Sequence, residues 1–229
     1  MKKNVKIGNK LVGDGSPAFI IAEVGSNHNG NLAQAKKLID IAADSRVDAV
    51  KFQIFKAENF YEKKNPMFKV MKENELPRNW LKELNNYAAK KEVVFLASPF
   101  DEEAIDLLQV IGCPAIKWAS SETVNLPLLR YAASKKKPLL ISTAMCNLAD
   151  IYEAVDVAVS AGNDDIVLLQ CTALYPTPPQ HVHLNVMDAL RKTFHCPVGY
   201  SDHTLGFSVP IAAVAKRRMC NREAFYAKP

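Results

Sequence analysis

Phe19-Ile20-Ile21-Ala22-Glu23-Val24, followed by Gly25-Ser26-Asn27-His28-Asn29-Gly30, is the stretch that decides the fold. The first part is a continuous apolar run broken by one carboxylate, as expected of a strand buried on both faces with a functional group near its carboxyl end. Gly25 to Gly30 reads as a loop. From Leu32 the apolar residues Ala35, Leu38, Ile39, Ala42 and Ala43 follow helical spacing. Strand, polar loop and helix together form the repeating unit of a parallel sheet, whose crossovers need helix-length connections.

The same unit recurs along the rest of the chain. Strand runs start near residues 19, 47, 93, 114, 138, 165 and 197, and each gap can hold a helix. Pro77, Trp80, Leu81, Leu84 and Ala88 mark one helix; Asp101-Glu102-Glu103 is an acidic first turn of another. Leu126 to Ser134 and Leu148 to Ser160 are two more. Seven such units predict an α/β chain, with a (β/α)8-type TIM barrel favoured over a doubly wound open sheet. Asn4 to Val12 alternate around Gly8-Asn9, predicting a hairpin within residues 1–17. The long polar gap from Phe55 to Leu76 reads as a loop or short helices over the barrel mouth, a lid or a solvated insertion.

The chain has 229 residues, 48% of them hydrophobic, enough for one large core. No apolar run approaches the roughly 18 residues of a membrane span, and no apolar core follows the amino-terminal lysines, so a soluble cytoplasmic protein without membrane partners is expected. Five scattered cysteines without a Cys-x-x-Cys pair suggest reduced thiols rather than a disulfide framework or zinc site. Most of the formal charge of +5 lies in residues 216–229, where five basic side chains face only Glu223. The body is nearly neutral and has no stripe of interleaved basic and aromatic residues, which argues against a nucleic-acid partner.

Polar chemistry gathers at the ends of the strand runs, the face on which barrels of this type carry their sites. Gly199-Tyr200-Ser201-Asp202-His203-Thr204 is the densest cluster. A neutral imidazole is a good transition-metal ligand, and a polar turn with a hydrogen-bonded histidine is the competing reading. Lys51 and Lys117 are embedded in apolar strand runs, where a buried ammonium is costly unless paired. An anionic ligand would pair them, and so would an internal salt bridge to Glu23 or Glu122.

Taken together, Ile21 to Gly30, Asp48-Ala49-Val50-Lys51-Phe52-Gln53, Ser98-Pro99-Phe100-Asp101, Ile116 to Ser120, Asn125 to Leu129, Tyr175 to Pro179 and Gly199 to Thr204 resemble the sialic acid synthase family, in family order from residue 18 to about 214. That family condenses phosphoenolpyruvate with N-acetylated amino sugars to make nonulosonic acids, and has relatives in spore-coat polysaccharide synthesis. The resemblance implies that Lys51, Lys117, Ser142 and Ser201 contact phosphoenolpyruvate, assisted by Gln53 and Ser98. It implies manganese(II), with magnesium as the alternative, bound by two histidines of which His203 is the first. Glu23 is the first candidate for managing water and a proton, and Glu122 the second, or a sugar contact. Tyr175 matches a position lining the sugar pocket, and Ala173 stands where the neuraminate-forming branch often has asparagine. His28 matches a loop position rather than a ligand, and His181, His183 and His195 read as exposed loop residues. A sister condensation on a phosphorylated aldose, giving a 2-keto-3-deoxy acid, fits the motifs around residues 21–30 and 199–204 less well.

After Ala215 the resemblance stops. Family members continue into an eighth strand ending in Glu-Lys-His-Phe-Thr, whose histidine is the second metal ligand, and into a small antifreeze-like domain that completes a homodimer. The expectation is therefore a barrel domain over 18–215 with seven strands and no eighth, then a basic tail without apolar period over 216–229. Removing one nucleotide from a back-translation of that tail near codon 217 yields KGACVIEKHFTL, so an insertion is the hypothesis for the departure, and resequencing tests it. An inactive chain that retains only phosphoenolpyruvate or phosphate binding is the competing functional expectation.

Overall fold

In the computed structural model, which describes residues 1–13, 15–219 and 225–228, the elements follow the expected alternation. In chain order they are β1 (Asn4–Ile7), β2 (Lys10–Gly13), β3 (Phe19–Gly25), α1 (Leu32–Asp44), β4 (Ala49–Ile54), α2 (Pro66–Glu73), α3 (Leu81–Lys90), β5 (Val94–Pro99) and α4 (Glu102–Val110). They continue with β6 (Ile116–Trp118), α5 (Leu126–Ser134), β7 (Leu139–Ser142), α6 (Leu148–Ser160), β8 (Ile166–Gln170), α7 (Val186–Phe194), β9 (Val198–Tyr200), α8 (Ser208–Met219) and β10 (Phe225–Lys228). The chain packs as two compact units, Ala22–Cys113 and Met1–Ile21 with Pro114–Lys228.

In the Ala22–Cys113 unit, β4 and β5 pair in parallel, with Lys51 opposite Leu96 and Gln53 opposite Ser98. Val50, Phe52 and Ile54 are fully buried, and the Phe52 ring stacks on Phe95 at 5.4 Å between centroids. A fully buried side chain of that size contributes roughly 1.5–3 kcal/mol. The helices begin where the sequence supplies a cap. The Asn31 side chain accepts from Gln34 N, and that of Asp101 from Ala104 N, each satisfying an amide that the helix leaves open. The long gap holds the two-turn helix α2, capped by Asn65 with Pro66 in its first turn.

In the other unit, β1 and β2 form the expected antiparallel hairpin, with Ile7 opposite Lys10. Strands β6, β7, β8 and β9 pair in parallel succession, with Lys117 opposite Leu140 and Ser142 opposite Leu169. A reciprocal capping box between Asn147 and Asp150 starts α6. The expectation of seven strands followed by a basic tail over 216–229 is corrected in part: α8 runs to Met219, and β10 lies against β9. Lys216, the first residue of that stretch, sits in α8 and pairs with Asp188 of α7 at 2.8 Å and with Asn185 just before it at 2.7 Å. Cys220, Arg222 and Glu223 lie outside the described residues. Among the described residues no helix is long and apolar enough to cross a membrane, and Cys113, Cys146, Cys171 and Cys196 are free thiols.

Candidate active site

The first group of site residues belongs to the Ala22–Cys113 unit. Lys51 points from the middle of β4 and is 5% exposed. Its ammonium meets Glu23 Oε2 at 2.5 Å, so of the two ways to pair this lysine the internal ion pair is present. Glu23 Oε1 is buried and has no hydrogen-bond partner among the described residues, which leaves one carboxylate oxygen able to accept from a ligand or water. Gly25 turns the chain at the end of β3 with φ +54, and a Cβ there would meet Glu23 Oε1 at 3.2 Å. Glycine thus serves both the left-handed turn and the room around that carboxylate. Gln53 and Ser98 lie side by side at the carboxyl ends of β4 and β5, Ser98 buried.

His28, expected only as a loop position, is completely buried. Its ring faces Phe52 at 6.5 Å and Trp80 at 6.3 Å between centroids. Gly30 N donates to His28 Nδ1 at 3.1 Å, which places the proton of the neutral ring on Nε2. Burial holds its pKa below the usual imidazole value.

The second group belongs to the unit containing Pro114–Lys228. Lys117, also 5% exposed, donates to Ser142 Oγ at 2.5 Å and to the Trp118 carbonyl at 3.0 Å. Cys171 follows β8, and burial pushes its thiol pKa up. Glu122 accepts from Asn125 Nδ2 at 2.9 Å, and its carbonyl takes the Trp118 indole N–H at the same distance. Buried Ser201 continues from β9 and donates its amide to the Gln170 carbonyl at 2.8 Å.

His203 is the most defined group here. Its Nδ1 lies 2.7 Å from the Thr172 carbonyl, and since a carbonyl only accepts, the neutral ring carries its proton on Nδ1 and its lone pair on Nε2. The Tyr175 hydroxyl is 3.0 Å from Nε2. Asp202 is fully buried, with Oδ1 taking both the amide and the hydroxyl of Thr204. Tyr200 beside it has its pKa raised, first by burial and then by the Asp202 carboxylate. His181, His183 and His195 are exposed, as expected. Asp202 belongs to the polar cluster expected from the sequence, but its carboxylate holds Thr204, and the Thr172 carbonyl sets the His203 tautomer in its place. Nothing in sequence marks a main-chain acceptor 31 residues from its histidine.

As a metal ligand His203 fits in one respect, because its tautomer presents the required lone pair. Among the described residues, however, no group of three His, Cys, Asp or Glu side chains could hold a metal ion. They supply one nitrogen, not a coordination sphere.

Comparison with known proteins bears on the whole arrangement. Residues 38–216 match the model of the NeuB family. N,N'-diacetyllegionaminic acid synthase of Campylobacter jejuni is 44% identical over 213 residues, covering 86% of this chain and 64% of that protein. Spore coat polysaccharide biosynthesis protein SpsE of Bacillus subtilis is 40% identical over 211 residues, covering 87% of this chain and 57% of that protein. The chain therefore spans less than two thirds of the length of these relatives. A crystal structure of N-acetylneuraminic acid (sialic acid) synthetase from Leptospira borgpetersenii in complex with citrate superposes with a TM-score of 0.92 at 30% identity, covering 99% of this chain and 78% of that one. Over more than half its length this chain carries the family's pattern, and it belongs to the NeuB family.

Proposed function

We propose that this chain carries the phosphoenolpyruvate-binding part of a nonulosonic acid synthase. The reaction joins carbon 3 of phosphoenolpyruvate to the aldehyde carbon of an N-acetylated sugar such as N-acetylmannosamine, adds water at carbon 2 and expels phosphate. The observation that carries the reading is the burial of two ammonium groups, Lys51 and Lys117, in strands of a NeuB-family chain. Phosphate and carboxylate groups would draw on both lysines, with Ser142 and Ser201 donating hydroxyl hydrogens and Gln53 and Ser98 assisting.

Glu23 has one oxygen held by Lys51 and the other open, an arrangement in which the open oxygen can accept a proton from water. Glu122 and Tyr175 would contact the sugar. Nε2 of His203 would supply one nitrogen toward manganese(II), or magnesium in its place, an ion that in a complete site would polarise the aldehyde oxygen.

The test is incubation of the protein with phosphoenolpyruvate, manganese and either N-acetylmannosamine or a diacetamido-trideoxyhexose, measuring phosphate release and nonulosonate. Turnover that is abolished by Lys51→Ala supports the reading. Absence of turnover while phosphoenolpyruvate still raises the melting temperature supports a binding-only protein instead, and absence of both overturns the assignment.

A further inference from the structure

Within the Ala22–Cys113 unit a groove of about 430 Å³ is lined by Lys36 of α1 and by a polar row that runs from Asn79 along α3 to Lys90. Its two sides differ. On one side every group is paired. Lys36 meets Glu83 at 2.5 Å and stands 5.5 Å from the centre of the Tyr87 ring. The Tyr87 hydroxyl donates to Asp40 at 3.0 Å, and Lys91 pairs with the same carboxylate at 2.7 Å. Both carboxylates of this seam are therefore already met by an ammonium.

On the other side Asn79, Lys82, Asn86 and Lys90 recur at spacings of three and four residues. That places them in one row, on the face of α3 opposite the buried Leu81, Leu84 and Ala88. Among the described residues the ammonium groups of Lys82 and Lys90 and the carboxamides of Asn79 and Asn86 have no protein partner. Elsewhere in the unit Lys56, Lys72 and Lys91 each have a carboxylate.

The lining thus holds three ammonium groups against the single carboxylate of Glu83, with carboxamide N–H donors between them. Such a set of donors selects an oxyanion. Lys82 and Lys90 lie about 12 Å apart along the helix axis, and their flexible stems can close on one ligand from both ends, with Asn86 between. The volume is that of a small-molecule site, roughly 300–1,000 Å³, rather than of a track for a polymer.

We propose that this groove binds a small phosphorylated molecule carrying two or more negative charges, held by Lys82, Asn86 and Lys90 against the wall that Lys36 and Glu83 fix. Neither Lys51 nor Glu23 lines it, so the site stands apart from the proposed substrate residues and does not depend on their role.

Pyrophosphate is the probe. Lysines of the native protein are acetylated with and without it, and the extent at each position is read by mass spectrometry. Lys82 and Lys90 should be protected at least threefold, while Lys64, 86% exposed and outside the groove, keeps its rate. Calorimetric titration then compares the native protein with two variants. Lys82→Gln/Lys90→Gln breaks no contact within the protein and keeps good helix formers in place. Asn86→Asp sets a carboxylate in the middle of the row. The double variant should bind pyrophosphate roughly tenfold more weakly, and Asn86→Asp should weaken it as well, with melting temperatures unchanged. Protection reproduced by sodium chloride at the same ionic strength would reduce the effect to screening and overturn the site. Unchanged affinity in both variants, or binding that leaves Lys82 and Lys90 unprotected, would also overturn it. Protection of the groove in a protein that shows no turnover of phosphoenolpyruvate keeps the site and removes only the substrate assignment.

Discussion

The two units handle the same pair of residue types in opposite ways. In Ala22–Cys113 the buried ammonium of Lys51 is met by a carboxylate at 2.5 Å, and the buried imidazole of His28 accepts at Nδ1, turning its N–H inward. In the other unit Lys117 donates to a hydroxyl and a main-chain carbonyl, and His203 donates from Nδ1, so its lone pair faces outward. The first arrangement balances charge at Lys51 but leaves Glu23 Oε1 and His28 Nε2 without partners among the described residues, while the second gives its lysine neutral acceptors and leaves the His203 lone pair on Nε2. The atom each neighbour offers sets the tautomer: an amide N–H puts the His28 proton on Nε2, and a carbonyl puts the His203 proton on Nδ1.

The largest expected effect tests the lysines. Lys51→Ala strands the Glu23 carboxylate in a site where its side chain is 15% exposed, and breaking such a pair costs about 3–5 kcal/mol. Denaturant unfolding should show that loss, and the Lys51→Met/Glu23→Gln double variant should recover much of it. Lys117→Met removes the donors to Ser142 Oγ and the Trp118 carbonyl, and losing those two bonds should cost about 1–3 kcal/mol. If the two single variants are equally destabilised, the contrast between the units is wrong.

The histidines give a pH test. Burial favours neutral His28 in the folded state, whereas the unfolded chain takes up a proton as the pH falls below the ordinary imidazole value of 6.5. The contribution is complete above pH 6.5 and declines as the pH falls toward the lowered folded value. Native protein should therefore lose up to about 1.4 kcal/mol per pH unit in that window from this residue, and His28→Gln should lose that component. A pH profile unchanged by the substitution would falsify the buried-neutral assignment.

The smallest effect calibrates the others. Asn31→Ala in one unit and Asn147→Ala in the other each remove a helix cap, worth about 1 kcal/mol. Capping is local, so the thermal midpoints of the two variants should fall by similar amounts, with Asn147 ahead because Asp150 reciprocates.

Strand starts and the helix at Asp101 are readable because they depend on neighbours in sequence: apolar runs, prolines, and an acidic first turn. The strand-end lysines and His203 stood out for the same reason, as polar residues where the pattern demanded apolar ones. What escaped the sequence depends on contacts across long separations. His28 is buried by Phe52 and Trp80, and Tyr175 meets His203 across 28 positions. The choice of partner for Lys51 stayed open because both carboxylates were within plausible reach of a strand end. The extension of α8 past Ala215 has no apolar period to announce it, and rests on lysine, arginine and methionine being good helix formers.

The register of β4 against β5 has a consequence for how the chain avoids misfolding. Side chains alternate faces along a strand, so sliding β4 by one position would turn Lys51 away from Glu23 and press its ammonium among the apolar groups that now surround Val50 and Phe52. Such a mispaired sheet carries its own penalty, and the residue proposed to hold the substrate thereby also proofreads assembly.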